Sequence, residues 1–154
     1  MVQVLLDFVD FVTRKRRSKP GSQIFNGHDP LDWLPNELIT AVDLPPMADT
    51  KHAVYLKVRD RSLYAFALVS VAAALTIENG SITGARIALG GVAHKPWREP
   101  EAEALIQGSP DRPTFERAAD RLLQGAHAYR YNQYKLALAR KSVIRALSVA
   151  AAST

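Results

Sequence analysis

The stretch Leu68–Val92, LVSVAAALTIENGSITGARIALGGV, decides the fold because two apolar segments in it are separated by an Asn-Gly pair. The two segments are Leu68–Glu78 and Ile82–Val92, and Asn79-Gly80 between them is the strongest short-range signal for a β-hairpin in the chain. Gly90-Gly91 weakens the second segment as a strand, so we expect a bulge or a close approach of another backbone segment there.

Two further strand candidates precede the hairpin. Glu37–Leu44 is rich in β-branched residues and is closed by Pro45-Pro46, and His52–Val58 alternates between apolar and polar residues. Strands that are consecutive in sequence usually lie side by side. The sequence therefore predicts an antiparallel sheet of three or four strands.

The last third of the chain has the periodicity of helices. Glu99–Gln107 ends before Gly108, Thr114 is placed to cap a second helix that ends near Gly125, and Tyr134–Ala152 is the longest helical segment. The residues expected to face inward are Phe115, Ala118, Ala119, Leu122, Leu123, Leu136, Leu138, Ala139, Val143, Ile144 and Leu147. Strands followed by helices predict an α+β fold, with the sheet packed against a C-terminal bundle of about three helices.

The domain is expected to occupy residues 34–154, after an N-terminal arm at residues 1–33. Arg14–Lys19 carries five cations, and without them the net charge of +5 falls to about zero. A solvated arm is the favoured interpretation of this run, since a nucleic-acid patch usually interleaves aromatic residues. The tyrosines of Tyr129–Tyr134 could stack on bases, but packing at the start of a helix is favoured. We therefore expect no nucleic-acid partner.

Composition excludes several kinds of chemistry. The 154 residues include no cysteine, so disulfides, thiolate nucleophiles and cysteine-ligated iron–sulfur clusters are excluded within this chain. The four histidines are scattered and predict no metal site, and no acid pair or Gly-x-Ser-x-Gly turn indicates a catalytic residue. No apolar run is long enough to predict a membrane span. A cytoplasmic protein without a catalytic centre of its own is expected.

The stretch Lys57-Val-Arg-Asp-Arg places three cations immediately before an uncharged segment. At the rim of a sheet, Lys57, Arg59 and Arg61 could hold an anion or the polar edge of an aromatic ligand. The other interpretation is a solvated strand end in which Arg59 or Arg61 pairs with Asp60 or Asp43. The pattern of residues leaves both open.

Four segments carry a resemblance to a known family. Glu37–Pro45, Tyr55–Ala72, Ala85–Arg98 and the closing Asn132–Lys141 resemble successive landmarks of the C-terminal domain of the FAD-binding (medium) subunit of molybdenum hydroxylases. This family includes xanthine dehydrogenases, CO dehydrogenase and aldehyde oxidoreductases. The flavin subunits of the bacterial aldehyde-oxidoreductase type are the most similar to this chain in sequence. The match runs from about Glu37 to Leu147.

The resemblance implies FAD as the cofactor and suggests which residues contact it. Lys57 aligns with a lysine that reaches the flavin from this domain, and Ile39 aligns with an aliphatic residue that does the same. Arg61–Phe66 aligns with a loop beside the isoalloxazine ring, which makes Arg61 a second-tier candidate.

The resemblance also implies partners. In the family, electrons pass from a molybdenum-cofactor subunit to an iron–sulfur subunit and then to FAD, which relays them to an acceptor. A larger FAD-binding domain precedes this domain in the family's FAD-binding subunits. The arm at residues 1–33 matches the family poorly, although Leu5–Phe11 could be a remnant of that domain, and nothing else in this chain resembles it. The chain is therefore expected to be inactive alone, as a part of an FAD-dependent oxidoreductase. Apolar surface left uncovered would favour a homodimer. The alternative is a stand-alone binding or scaffold module that kept the fold without the cofactor.

The purified chain alone is expected to be colourless. A few contacts to the flavin ring cannot replace the glycine-rich backbone and helix-terminal N–H groups that hold the pyrophosphate of a dinucleotide. Gel filtration followed by an absorbance spectrum checks this. Stoichiometric flavin absorbance in the protein peak would contradict it.

Overall fold

The computed structural model describes residues 51–153. The elements within them are β1 Ala53–Val58, β2 Val69–Glu78, β3 Ser81–Gly90, α1 Pro100–Ala104, α2 Arg112–Leu122 and α3 Tyr134–Ala152. The predicted arm at residues 1–33 and the predicted strand at Glu37–Leu44 lie outside the described residues.

The three strands form one antiparallel sheet in the order β1-β2-β3. Glu78 pairs with Ser81 across a two-residue turn in which Asn79 and Gly80 have φ values of 52° and 77°. Positive φ at both central residues defines the type I′ turn that suits the twist of a hairpin, and Asn-Gly adopts it readily. The predicted hairpin is confirmed. The expected close approach is also present, because β3 ends at Gly90 and Gly91 lies against the backbone of Ala67.

The helices cover one face of the sheet. On β2, Val69, Val71, Ala73 and Leu75 belong to the main core, and α3 packs across β2 and β1. α2 packs on α3, while α1 contacts α2 and β3. The alternate residues of β2 point away from the helices, where small side chains form a separate cluster of Ala72, Ala74 and Ala88. The α+β fold is confirmed.

α3 has the bounds that its periodicity predicts, but one of its apolar residues was assigned to the wrong side. Ala139, Val143, Ile144 and Leu147 are buried as expected. Leu136 is 37% exposed, because it lies in the first turn of α3, ahead of the part of the helix that is buried.

The start of α2 also differs from the prediction. Asp111, rather than Thr114, caps the helix, and its carboxylate accepts a hydrogen bond from the Thr114 amide at 2.9 Å. This hydrogen bond lowers the pKa of Asp111 from its ordinary value. Thr114 is instead a buried residue of the first turn, and the helix begins at Arg112 because Pro113 needs no amide partner there.

α1 is shorter than the predicted Glu99–Gln107. After Ala104 the chain turns so that Ile106 enters the core, fully buried. Gly108 then forms a bridge with Ile82, in which each amide donates to the other residue's carbonyl, at 2.7 and 3.0 Å. Pairing with β3 ends the helix, a tertiary effect that the local sequence does not contain.

A buried carboxylate fastens the segment after β3 to the sheet. Glu103 accepts hydrogen bonds from the Ile87 amide at 2.9 Å and from Arg98 Nε and Nη2, both at 2.7 Å. Next to Arg98, Trp97 exchanges backbone hydrogen bonds with Leu89 and donates its ring N–H to the Leu122 carbonyl. Together these bonds hold β3, α1 and α2 in one arrangement.

Glu103→Ala is expected to destabilise the chain by about 3 kcal/mol, because it leaves the partly buried Arg98 guanidinium and the buried Ile87 amide without their carboxylate. Urea unfolding measures the loss. The control is Glu101→Ala, which removes an exposed partner of Arg121 from the same helix and should change stability little. Equal losses in the two variants would contradict the assigned role of Glu103.

Candidate functional site

A ten-residue loop joins β1 to β2 at one end of the sheet. We call residues 59–68 the strand-end loop. Its two ends are fixed, because Val58 pairs with Val69 and the Leu68 amide donates to the Val58 carbonyl at 2.9 Å. The loop is therefore anchored at its base, and the side chains between Arg59 and Ala67 decide what this end of the domain presents.

Lys57 lies beside this loop, on the face of the sheet opposite the helices. The neighbouring β1 residues Val54 and Leu56 pack on the core, and alternation along the strand places the exposed Lys57 on the outer face. In register, Lys57 is opposite Ser70, and Ser70 is opposite Gly90. Ser70 is buried and Gly90 is half-buried, so the exposed ammonium group of Lys57 is the prominent polar group of this row.

A residue larger than glycine at position 90 would require the Ser70 side chain to move. A Cβ built on Gly90 would lie 2.6 Å from Ser70 Oγ, closer than two such atoms can approach. The sheet surface beside Lys57 therefore carries only the hydrogen of Gly90 and the hydroxymethyl group of Ser70. A planar ligand that approached this row would meet one long cationic side chain and two small residues.

The strand-end loop adds exposed cationic and apolar side chains. Arg59 and Arg61 are exposed, as are Leu63 (78%), Tyr64 (100%) and Phe66 (97%). Arg61 Nη2 donates to the Tyr64 carbonyl at 3.1 Å, and Tyr64 has a positive φ of 50°. Three large and mostly exposed apolar groups in one loop are typical of an interaction surface.

The structure decides part of the open question about the three cations. Within residues 51–153, no ion pair joins Arg59 or Arg61 to Asp60, and Arg61 instead stabilises the backbone of its own loop. Lys57 and Arg61 lie at the same end of the sheet. Asp43 and the third candidate, Ile39, lie outside the described residues, so the interpretation of Ile39 as a flavin contact stays a prediction.

The sequence favoured packing of the tyrosines of Tyr129–Tyr134 at the start of α3, and this prediction is wrong. Tyr129, Tyr131 and Tyr134 are all exposed, and the Arg130 guanidinium lies 5.4 Å from the centre of the Tyr131 ring. Their sequence spacing could not distinguish packing from exposure, because the segment before α3 is irregular and presents no helical face there.

One contact residue near the strand-end loop, Lys135, was missed by the sequence analysis. Lys135 in the first turn of α3 donates from Nζ to the Gly91 carbonyl at 3.0 Å, and Gly91 in turn touches the backbone of Ala67. The Gly-Gly pair signalled a close approach, but nothing in the sequence indicated Lys135. These contacts join the start of α3, the end of β3 and the strand-end loop.

The described part of the chain offers no alternative centre based on a metal. Residues 51–153 contain no group of three or more histidine, cysteine, aspartate or glutamate side chains that could hold an ion. One histidine has a clear structural partner, since His52 Nδ1 lies 3.1 Å from the Ala150 carbonyl oxygen. None of the helices in this region is both long and apolar enough to cross a bilayer.

Residues 54–150 match the family model of the CO dehydrogenase flavoprotein C-terminal domain. The chain belongs to this family. It is 48% identical over 120 residues to the aldehyde oxidoreductase FAD-binding subunit PaoB of Escherichia coli K12, and 35% identical over 92 residues to the glyceraldehyde dehydrogenase medium chain of Sulfolobus acidocaldarius. These matches cover 77% and 60% of this chain.

Solved structures of similar proteins agree with the family assignment. Reconstituted CO dehydrogenase from Oligotropha carboxidovorans superposes with a TM-score of 0.63 and 26% identity, over 72% of this chain and 41% of that one. Quinoline 2-oxidoreductase from Pseudomonas putida 86 has a TM-score of 0.59 and 28% identity, over 65% of this chain and 36% of that one. The flavoprotein C-terminal domain spans about a third of the curated relatives, 34% and 32% of their lengths.

Phe66→Ser is expected to leave stability unchanged within about 0.5 kcal/mol, because the ring is 97% exposed. It should also weaken self-association of the isolated chain, which light scattering measures, since it removes apolar surface from the strand-end loop. The control for burial is Phe115→Ala in the core, with an expected loss of about 3–5 kcal/mol. Destabilisation by Phe66→Ser as large as that of Phe115→Ala would contradict the exposed position of Phe66.

Proposed function

We propose that this flavoprotein C-terminal domain completes the flavin site of an FAD-binding subunit, with Lys57 as the principal contact to the isoalloxazine ring. The observation that carries the proposal is the exposed Lys57 on the outer rim of the sheet, next to the strand-end loop, in a chain 48% identical to a protein named as an FAD-binding subunit. Arg61 and Ile39 are the further contacts that we propose.

The residues at this end of the domain fit the chemistry of a flavin ring. Isoalloxazine is flat and apolar on its faces and carries hydrogen-bonding oxygen and nitrogen atoms along its edge. Tyr64 and Phe66 supply exposed apolar surface, while Lys57 and Arg61 supply donors and positive charge. The small residues Ser70 and Gly90 keep the sheet surface beside Lys57 free of bulky groups.

The proposed role of Lys57 is electrostatic. Bound FAD would supply the electron-transfer chemistry, and the protein would orient the ring and adjust its electronic properties. A fixed ammonium group at the polar edge of the ring favours negative charge there without having to reorganise. Arg61 would add to this field from the strand-end loop, where its guanidinium already donates to the Tyr64 carbonyl.

We further propose that the domain works within a larger cytoplasmic assembly. The partners would be an FAD-binding domain, an iron–sulfur subunit and a molybdenum-cofactor subunit, and the chain by itself would be inactive. The names of the relatives, an aldehyde oxidoreductase, a glyceraldehyde dehydrogenase and a CO dehydrogenase, support an oxidoreductase complex. When isolated, the chain would form a homodimer through Leu63, Tyr64 and Phe66, which are otherwise left in water.

The test of Lys57 uses a hybrid in which this domain replaces the equivalent domain of a complete FAD-binding subunit. Lys57→Ala should weaken FAD retention by about 1–3 kcal/mol or shift the flavin reduction potential, because one charge-assisted hydrogen bond is lost. Fluorescence titration and spectroelectrochemistry measure the two quantities.

The matched control is Lys141→Ala, which removes an exposed lysine from α3 and should change neither quantity. The proposal for Lys57 is wrong if the Lys57→Ala hybrid holds FAD with the parental affinity and potential. A scaffold function without a cofactor would gain support if the unmodified hybrid also failed to bind FAD.

A further inference from the structure

Gly91 packs against the backbone at the C-terminal end of the strand-end loop. A Cβ built on Gly91 would lie 2.8 Å from the Ala67 carbonyl oxygen and 3.4 Å from that of Leu68. Gly91 also has a φ of 74°, a conformation that glycine adopts without steric cost. The backbone after β3 thus lies directly against the last residues of the strand-end loop, at a distance that only glycine allows.

Gly91 is in turn held by α3. Lys135 Nζ donates to the Gly91 carbonyl at 3.0 Å. Lys135 is in the first turn of α3, whose middle and later turns are buried against the sheet through residues such as Val143 and Leu147. Gly91 is therefore bound through its carbonyl by a helix that is fixed in the core, and it lies against the backbone of Ala67.

We propose that Gly91 and Lys135 are positioning residues for the strand-end loop. They fix the height of its C-terminal end above the sheet, and so the placement of Arg61, Tyr64 and Phe66, which lie between this end and β1. Their importance for flavin rests on the proposed function, but the positioning itself does not. The packing of Gly91 is the stronger of the two contributions, since the hydrogen bond from Lys135 is exposed to water.

The Leu68 amide is the reporter of this arrangement. It donates to the Val58 carbonyl at 2.9 Å at the base of the loop, next to the contact between Gly91 and Ala67. A hydrogen-bonded amide exchanges with solvent when its segment opens, so its exchange rate measures how firmly the end of the loop is held. Hydrogen exchange by NMR on the full chain reads this amide without any flavin.

Gly91→Ala is expected to speed exchange of the Leu68 amide by about tenfold or more, because the new methyl group must displace the Ala67 carbonyl. The matched control is Gly80→Ala. Gly80 has nearly the same φ, 77°, but no atom lies within 4 Å of its added Cβ, so it introduces the backbone strain without the clash. Gly80→Ala should leave Leu68 exchange within about twofold of the wild type. Equal acceleration in both variants, or none in Gly91→Ala, would overturn the proposal for Gly91.

Lys135 gives a second test in case Gly91→Ala does not fold. Lys135→Met should speed exchange of the Leu68 amide by about two- to fivefold, and Lys135→Arg, which keeps a donor, should restore the wild-type rate. Lys141→Met, on the exposed face of the same helix, should have no effect. The role of Lys135 is overturned if Lys135→Met matches the wild type or if Lys135→Arg fails to restore the rate. Since flavin is absent from these measurements, a negative result would leave the proposed function standing.

Discussion

The two-residue alternation of β2 is the constraint on which the rest of this domain depends. Val69, Val71, Ala73 and Leu75 must all face the helices, and a shift of one residue would send the entire apolar set to the other face. The same register, transmitted through the pairing of Lys57 with Ser70, places the lysine on the outer face at the end of the sheet. The position of the proposed flavin contact is therefore a consequence of how the core is formed.

The segment that follows β3 is held by specific polar contacts. Glu103 binds the β3 backbone and Arg98, and Trp97 pairs with Leu89, so the segment that follows Gly91 has a fixed course. An exposed ten-residue loop would by itself be free to move. Here the segment from Gly91 to Arg98, next to the loop, is fixed at both ends. The exposed side chains of the strand-end loop can therefore be held in a defined arrangement.

Local signals predicted the elements of the fold well, and long-range contacts explain where prediction failed. Asn79-Gly80 and the periodicity of Tyr134–Ala152 depend on neighbouring residues, and both elements were predicted with the right type and position. α1 stops early because Gly108 pairs with Ile82, a contact between distant segments. At the site, the cations before the uncharged segment were visible in the sequence and the roles of Lys57 and Arg61 came from resemblance. The contact between Lys135 and Gly91 required the packed helix.

We propose that the outer rim at Lys57, and not another surface of the domain, faces the flavin. The most direct measurement is a structure of this domain assembled with an FAD-loaded flavin domain. Lys57 Nζ is expected within hydrogen-bonding distance, about 3 Å, of a polar atom on the isoalloxazine edge, with the strand-end loop against the ring. A structure in which Lys57 points into solvent, and the ring lies against a different part of the domain, would contradict it.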